Sequence, residues 1–443
     1  MRITLIAILT LTAVSAHAQH SWTVQQCMQY AVEHNHEVKR TELELDNYMA
    51  NRTGAIGRYL PKVDMGIGAQ YNFGRTIDPE TNIYTDVSTF NNGYSLSASF
   101  PFFDGFNRLH ALKAAKASVL MGHHALRQKQ NQIALNVLQA FVNVAYYDGL
   151  VKMAGEKMEE TTLLLRQTRL LEELGRKSAA DVAQVESQQA EANYELTHQQ
   201  NLLASAILEL KKSMAYPMGD TIRCEIPILS TDNFHAGNKI FPNSEQYIPT
   251  LGNNPELLAS HYQMKASKHE WHQSRASLFP SLSLSAGLNT TYFHTLHSNG
   301  GQSFRDQIKN NMGEYVGATL SIPLFNRLQT ITNIRKAKNN YQIARENYEQ
   351  KQLELEKLAR EAWQDWQGNL KQTEQMLKKV EADSLTYHLT RRQFEEGLST
   401  AIDLHTTSSQ LLKSKATLLQ CQLMAMVKEQ LVRYYNGQTI WTE

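Results

Sequence analysis

An internal duplication with a period of roughly 220 residues constrains this chain more than any other feature. Four landmarks recur in the same order, and their offset changes only once, from 219 to 222 residues. The paired landmarks are Asn35–Val38 with Asn254–Leu257, Leu60–Pro61 with Phe279–Pro280, Tyr94–Pro101 with Val316–Pro323, and Gly175–Val182 with Gly397–Leu404. They predict two structural repeats, 19–219 and 251–437, with a connector at 220–250 and a tail at 438–443.

The first segment has the pattern of an export signal. Arg2 precedes the apolar run Ile3–Val14, and the small-residue sequence Ala16–Ala18 follows it. This order predicts a signal peptide over 1–18 that is removed by cleavage. The apolar run is shorter than the roughly 18 residues that a membrane-spanning helix needs.

The charges of the mature chain are balanced. Without Arg2 the 44 basic residues become 43, equal to the 43 acidic ones. This balance excludes a nucleic-acid binder that works by neutralising phosphates, because such a protein needs an excess of basic residues.

Each half contains a predicted β-hairpin, over 62–100 and over 281–322. Apolar residues alternate with small polar ones in both, which is typical of strands with two different faces. Polar loops are expected at 74–92 and 294–313. The strands are expected to be about nine to eleven residues long, the length that spans a membrane. Amphipathic hairpins in a soluble protein are the alternative interpretation.

Very long helices follow the hairpins, over 108–174 and 327–396, and each is followed by a return helix, 179–216 and 400–435. About 70 residues of helix reach roughly 105 Å. Helices of this length indicate a coiled coil or a helical barrel. The apolar seam contains Ala, Tyr and Ser as often as Leu, which favours a curved wall of closely spaced helices over a two-stranded zipper.

Both long helices end at a glycine, Gly175 or Gly397, a residue suited to the left-handed position after a helix. Capping boxes are predicted at the starts of the return helices, formed by Ser178 with Asp181 and by Thr400 with Asp403. The two aspartates could also form a ring of acids that attracts cations at a constriction. Each aspartate can cap its helix and contribute to the ring of acids at the same time.

Four long strands with an apolar face are too few to close on themselves, because the smallest membrane barrels have about eight. Open edges in lipid would leave backbone donors and acceptors unsatisfied. Two copies of the chain would supply eight strands and three would supply twelve. The strand count alone leaves both assemblies open.

No pattern for catalysis or metal binding is present. The sequence contains no G-x-S-x-G, Walker or G-x-G-x-x-G motif. The densest histidine groups, at 34–37 and 269–272, lack the H-E-x-x-H spacing of a zinc site. The three cysteines Cys27, Cys224 and Cys421 are odd in number and far apart, so neither a disulfide framework nor a zinc site is expected. We therefore expect no enzyme activity, no cofactor and no bound metal.

The ordered set of motifs resembles the TolC-type outer-membrane efflux proteins over nearly all of the mature chain. The segments that carry the resemblance are L-P-K-V (60–63), S-F-P-F-F (99–103), G-R-K-S-A-A-D-V (175–182), F-P-S-L (279–282), S-I-P-L-F-N (321–326) and F-E-E-G-L-S-T-A-I-D-L (394–404). The resemblance implies a mainly α-helical fold with a membrane β-barrel portion. It implies a homotrimer with a twelve-stranded barrel in outer-membrane lipid, on a helical barrel in the periplasm. Such a channel passively exports substrates that an inner-membrane pump delivers through a periplasmic adaptor.

The resemblance also implies that the two helix turns form the periplasmic gate and the adaptor-docking tips. The residues concerned are Leu174, Gly175, Arg176, Lys177, Ser178, Asp181, Phe394, Gly397, Leu398, Ser399, Thr400 and Asp403. Well-studied family members close the gate with a Tyr and an Arg, where this chain has Phe394 and Ser399. Neither side chain can make those links. Packing of Phe394 is therefore the expected basis of the closed gate.

Two other classes of protein share some of these features. A periplasmic coiled-coil adaptor would also have an export signal and long helices, and a soluble periplasmic binding module would bury its hairpins against a core. The duplicated hairpins with an apolar outer face argue against both classes.

Overall fold

The computed structural model describes residues 21–77, 82–86, 88–225, 251–296 and 302–441. The expected signal peptide, residues 226–250 of the expected connector and the last two residues of the tail lie outside the described residues. Elements of the first half are β1 (Ser21–Trp22), α1 (Val24–His34), α2 (His36–Gly57), β2 (Lys62–Asn72), β3 (Arg75–Ile77), β4 (Tyr84–Asp86), β5 (Thr89–Phe103), α3 (Asn107–Glu173) and α4 (Ala179–Met214). They are followed by β6 (Arg223–Cys224), α5 (Pro255–Ala276), β7 (Ser281–Thr295), α6 (Phe304–Asn310), β8 (Gly313–Ser321), α7 (Gln329–Glu395) and α8 (Ala401–Tyr435).

The fold is mainly α-helical with a sheet portion, as predicted. The helices α3 and α7 have 67 residues each, and neither contains a proline. The described residues form two compact units, and each unit takes a segment from both halves of the chain. The sheet unit comprises 42–125 and 256–352. The helical unit comprises the described residues of 1–41, 126–255 and 353–443.

The sheet unit contains a four-stranded sheet in the order β2-β5-β7-β8, and every neighbouring pair is antiparallel. The strands β5 and β7 have 15 residues each, longer than expected, whereas β2 has 11 and β8 has 9. The two long strands are central and have a partner on both sides. β5 continues past Pro101 because the register of its pairing with β7 shifts between Pro101 and Phe103, and proline is tolerated at such irregularities.

The regions expected to be polar loops contain further structure, so that expectation is partly wrong. The first region contains the short hairpin of β3 and β4, and the second contains α6. Ser303 caps α6, since its Oγ accepts a hydrogen bond from the backbone N–H of Asp306. The Gln307 side chain exchanges two hydrogen bonds, each 2.9 Å long, with the backbone of Phe293 in β7. A helix of seven residues is too short to produce a hydrophobic period that a sequence pattern could detect.

The two faces of the sheet differ in chemistry, because residues that pair across antiparallel strands point to the same side. One row of partners runs from Val63 through Ala98 and Ala286 to Val316. This apolar face exposes Val63, Met65, Ile67, Leu96, Leu284, Leu288, Val316 and Leu320. The opposite face carries Ser95, Ser97, Ser99, Ser285, Gly287, Gly317, Thr319 and Ser321. The alternation in the sequence thus becomes a mainly apolar face and a mainly small, polar face. Glu314 pairs with Leu288 on the first face, and Tyr315 pairs with Gly287 on the second.

Arg108 organises the junction where β5 leads into α3. Its Nε lies 3.0 Å from Asp104 Oδ2, and its guanidinium donates to the backbone carbonyls of Arg58 and Phe102. The same group lies over the rings of Tyr59 and Phe100, 5.1 and 5.5 Å from their centroids. Through these contacts Arg108 connects the end of α2, the end of β5 and the start of α3. The network is largely buried, since the Arg108 side chain is only 9% exposed.

The hydrophobic core of the helical unit lies between α1, α3, α4 and α8. Its most buried members include Cys27, Met28, Leu138, Phe141, Leu210, Met214 and Leu423. Small residues permit close approach here, since a Cβ added to Gly149 of α3 would collide with the side chain of Leu419 of α8. Among the described residues, no helix combines the length and the apolar character that crossing a membrane requires.

We expect Arg108→Met to lower the free energy of unfolding by about 3 kcal/mol, because it leaves the Asp104 carboxylate without its buried partner. The shift of the thermal midpoint measures this change. The control is Arg345→Met, since Arg345 is 52% exposed and its ion pairs with Glu346 and Glu349 contribute about 1 kcal/mol or less. Equal midpoints for the two variants would contradict the assigned role of Arg108.

Candidate functional site

Two helix reversals in the helical unit share one design. The first tip is defined as residues 174–181, between α3 and α4, and the second tip as residues 394–403, between α7 and α8. In the first tip the N–H of Arg176 donates to the carbonyl of Leu171 at 2.8 Å, and in the second the N–H of Leu398 donates to that of Gln393 at 2.7 Å. These six-to-one bonds define Schellman motifs.

Glycine is required at the centre of each motif. Gly175 has a φ of 67° and Gly397 a φ of 78°, in the left-handed region where a side chain is strained. Both positions have open space around them, so backbone conformation rather than packing selects glycine.

Capping boxes begin both return helices, and the predictions for Ser178 with Asp181 and for Thr400 with Asp403 are confirmed. The backbone N–H of Asp181 donates to Ser178 Oγ at 3.2 Å, and Asp181 Oδ2 accepts from the Ser178 N–H at 3.0 Å. In the second tip the N–H of Asp403 donates to Thr400 Oγ1 at 3.2 Å, and Asp403 Oδ2 accepts from the Thr400 N–H at 3.1 Å.

These hydrogen bonds change the acidity of both aspartates. The backbone N–H and then the hydroxyl of Ser178 hold the pKa of Asp181 below its ordinary value. The hydroxyl and then the backbone N–H of Thr400 do the same for the pKa of Asp403, with a smaller contribution from Ser399, whose Oγ lies 3.3 Å from Asp403 Oδ2. Both carboxylates are therefore ionised at neutral pH and occupied in capping their own helices.

Phe394 is buried at the second tip, with 4% of its surface exposed. It belongs to a hydrophobic group that we call the tip cluster, consisting of Leu165, Val182, Val185, Tyr387, Phe394, Ala401, Leu404 and Leu411. These residues come from α3, α4, α7 and α8. The ring of Phe394 therefore packs between the two helical hairpins.

Lys177 of the first tip completes the environment of this ring. Its Nζ lies 4.4 Å from the centroid of the Phe394 ring, which is cation–π geometry. Sequence analysis placed both residues among the candidates but did not pair them. No sequence pattern indicates the contact, because it joins turns of different halves.

Polar contacts also join the two hairpins. Gln188 Nε2 of α4 donates to the carbonyl of Ala401 at 3.4 Å, and Lys157 of α3 bonds to Ser408 Oγ of α8. Lys157 also lies 3.2 Å from Glu160 Oε2. Sequence analysis missed these residues, which lie within helices and show no distinctive spacing.

The other predicted site residues lie at the surface of the tips. Leu174 is 65% exposed and Leu398 is 75% exposed. Arg176 is exposed next to Gly175. Glu173, Glu395 and Glu396 are exposed in the same turns, so the tips present apolar side chains with charges of both signs beside them.

The described residues contain no group of three His, Cys, Asp or Glu side chains arranged to hold a metal ion. His269 and His272 of α5 lie beside His110 of α3, with ring centroids 5.8 and 5.1 Å from the centroid of His110. Burial lowers the pKa of all three imidazoles, and the neighbouring cationic groups lower it further.

We expect Asp181→Ala and Asp403→Ala each to reduce protection of the first-turn amides of α4 or α8, because each removes the acceptor for a cap N–H. Hydrogen exchange at pH 6 measures this protection. The pKa values of Asp181 and Asp403 are lower in the folded protein than in the unfolded chain. The stabilisation by capping is therefore complete at pH values above the unfolded pKa of about 3.9, and it is lost as the pH falls through the folded pKa. The wild-type amides should therefore lose protection only under acid conditions.

Thr406→Ala is the control, since Thr406 Oγ1 bonds only within its own helix, to the carbonyl of Ile402 at 2.9 Å. Wild-type protection in both aspartate variants would refute the capping account.

Comparison with known proteins identifies the family. The sequence model of the outer membrane efflux protein family matches residues 27–215 and 249–433. The probable efflux pump outer membrane protein TtgC of Pseudomonas putida is 23% identical over 422 residues, covering 93% of this chain and 82% of TtgC. The outer membrane efflux protein BepC of Brucella suis is 20% identical over 411 residues, covering 93% of this chain and 84% of BepC.

Solved structures have the same fold. The structure of CusC has a TM-score of 0.78 at 16% identity and covers 96% of both chains. The outer membrane protein VceC of Vibrio cholerae has a TM-score of 0.78 at 14% identity, covering 94% of this chain and 96% of VceC.

The family match spans both halves of the chain, so the alternatives of a periplasmic adaptor and a soluble binding module are wrong. The chain belongs to the outer membrane efflux protein family: it is an efflux channel of the outer membrane with a helical periplasmic portion, and it is not an enzyme.

Proposed function

We propose that three copies of this chain assemble into the exit duct of a tripartite export machine. The duct receives its substrates from an inner-membrane pump through a periplasmic adaptor. The observation that carries the proposal is the four-stranded sheet, which exposes an apolar face and ends in strands that have a partner on one side only among the described residues. The segments 19–219 and 251–437 act as its two structural repeats, with 220–250 as the connector between them.

The direction of the edge strands supports closure between copies. Every neighbouring pair in the order β2-β5-β7-β8 is antiparallel, so β2 and β8 run in opposite directions. β8 of one copy can therefore continue the antiparallel pattern with β2 of the next. In lipid such pairing is required, because each unsatisfied backbone group costs several kcal/mol.

The chemistry of the two faces favours three copies over two. Two copies would give eight strands, and side chains fill the interior of barrels of that size. Three copies give twelve strands and a wider interior. The Ser- and Gly-rich face, directed inward, leaves this lumen open and polar, and the apolar face meets lipid.

The tips are the proposed gate and docking surface. The tip cluster and the cation–π contact of Lys177 with Phe394 hold the two hairpins of one copy together, and this packing replaces the Tyr and Arg links that the sequence lacks. Exposed Leu174 and Leu398 offer the adaptor apolar side chains, with charged residues of both signs in the same turns. Asp181 and Asp403 of three copies would add a ring of acids near the opening.

The assembly is tested by the mass of the full chain extracted from outer membranes in mild detergent. Native mass spectrometry should show three copies, and salt or osmotic shock should not release the protein. A detergent-free monomer, or a stable dimer, would overturn the proposal.

Adjacent residues of β5 provide a matched pair that tests which face meets lipid. Leu96→Arg places a charge on the apolar face, at a cost of about 2–4 kcal/mol at the middle of a bilayer, and should reduce the amount of assembled trimer. Ser97→Arg places the same charge on the opposite face and should assemble normally. Equal assembly of both variants would count against the proposed orientation.

The gate is tested by single-channel conductance in planar bilayers. Phe394→Ala removes a buried ring, a change that typically costs about 3–5 kcal/mol of packing, so the closed state should weaken and conductance should rise. Phe394→Leu keeps most of the volume but loses the cation–π contact and should have a smaller effect, similar to that of Lys177→Ala.

Tyr194→Ala serves as the control, because Tyr194 is a 69% exposed aromatic residue of α4 outside the tip cluster. Wild-type conductance of Phe394→Ala would exclude a gate based on this packing.

A further inference from the structure

A short strand pair of the helical unit places Cys224 against the core cluster that contains Cys27. β1 and β6 are parallel, and their register aligns Trp22 with Cys224. These two residues are partly buried, whereas Ser21 and Arg223 are exposed. Trp22 and Cys224 therefore share the inward face of the pair. The ladder continues through the N–H of Glu225, which donates to the carbonyl of Trp22 at 2.9 Å.

Cys27 approaches the same place from α1. Thr23 is the N-cap of α1, so Trp22 precedes the cap and Cys27 is the fourth helical residue. These are the two positions that make contact in a hydrophobic staple. Trp22 is thus paired with Cys224 in the strand pair, and it holds the staple position relative to Cys27 at the start of the helix. Cys27 is completely buried in the helical core, and Cys224 packs against that same core.

We propose that Cys27 and Cys224 form a disulfide bond in the exported protein. The bond would join the start of α1 to the strand that follows the first half of the chain. The proposal rests on the outer-membrane location of the family, because exported proteins meet an oxidising compartment. It does not depend on the number of copies in the channel.

The properties of the two thiols agree with this pairing. Burial, and after it the neighbouring Cys224, raises the pKa of the Cys27 thiol far above its ordinary value. Burial, and after it Asp148, raises the pKa of Cys224 to about 11. Thiols with raised pKa values are slow to ionise, and thiolates are the reactive form. The bond therefore forms while the newly exported chain is folding, before the core excludes the oxidant.

The oxidant is the disulfide of a thioredoxin-fold oxidase. The Cys224 thiolate attacks one oxidase sulfur, which forms a mixed disulfide and releases one oxidase thiolate. The Cys27 thiolate then attacks the sulfur of Cys224, which forms the new bond and releases the second oxidase thiolate. The two cysteines lose two electrons and two protons, and the oxidase leaves as a dithiol.

The chain contains its own control in Cys421 of α8. All three cysteines are free thiols in the structure, and Cys421 has the same intermediate burial as Cys224. The core cluster that contains Cys27, and against which Cys224 packs, does not include Cys421. We expect Cys421 to remain a free thiol. Sequence analysis expected no disulfide because the cysteines are odd in number and distant in the sequence, and the proposed bond revises that expectation.

Peptide mapping of the full chain, purified from outer membranes, tests the bond. The protein is denatured in N-ethylmaleimide without reductant and digested with trypsin. Each cysteine then falls in its own peptide, 19–39 after signal removal, 224–239 or 416–428. We expect 19–39 to be linked to 224–239 and 416–428 to carry the maleimide. Maleimide on both Cys27 and Cys224, or a link from either one to Cys421, would overturn the proposal.

Two variants complete the experiment. Cys421→Ser should keep the link between 19–39 and 224–239, and Cys224→Ser should leave Cys27 as a thiol that maleimide labels after denaturation. A reductant that enters the core should lower the thermal midpoint of Cys421→Ser by several degrees and leave that of Cys224→Ser unchanged. Equal responses of the two variants would show that no bond was present to reduce.

Discussion

The antiparallel pairing of β5 with β7 is the interaction on which the sheet unit depends. β5 belongs to the first half of the chain and β7 to the second, and their ladder runs from Thr89 with Thr295 to Phe103 with Leu282. This register aligns the apolar residues of both halves on one face and the small polar residues on the other. A shift by one residue would exchange the two faces of β7 and mix apolar with polar groups. The two-faced sheet therefore requires this register.

The same pairing places β2 and β8 at the two edges of the sheet. Each half thus contributes one central strand and one edge strand. A single copy satisfies its central strands fully and its edge strands on one side. The assembly proposed here follows from this asymmetry, because backbone groups in lipid must find partners within the protein.

The helical unit joins its two halves in a different way. Schellman glycines and capping boxes shape each tip locally, whereas the tip cluster and Lys177 connect one tip to the other. The local devices contribute directional hydrogen bonds within a few residues. The connection between the two hairpins consists of apolar packing, one cation–π contact and the polar contacts of Gln188 and Lys157, and all of these depend on how four helices pack together. A gate built on such contacts can open without unfolding the turns themselves.

Interactions between residues close in the sequence made the helix turns and the strands predictable. Glycine at a left-handed position and a hydroxyl residue three before an aspartate act over one helical turn, so Gly175, Gly397 and both capping boxes could be read from the sequence. The alternation of the strands was equally readable, because side chains in a strand have a period of two. The helix α6 and the continuation of β5 past Pro101 were missed, since a contact with β7 determines each of them.

The sequence by itself determined the order of the elements, the two faces of the sheet and the shape of the turns, because each depends on residues within one or two turns of the chain. Only the tertiary structure decided which distant residues meet. Arg108 between two rings, Lys177 over Phe394, and Cys27 in the same core as Cys224 all join segments whose spacing carries no signal. Such contacts depend on how helices and strands pack in three dimensions, and packing is a property of the folded chain.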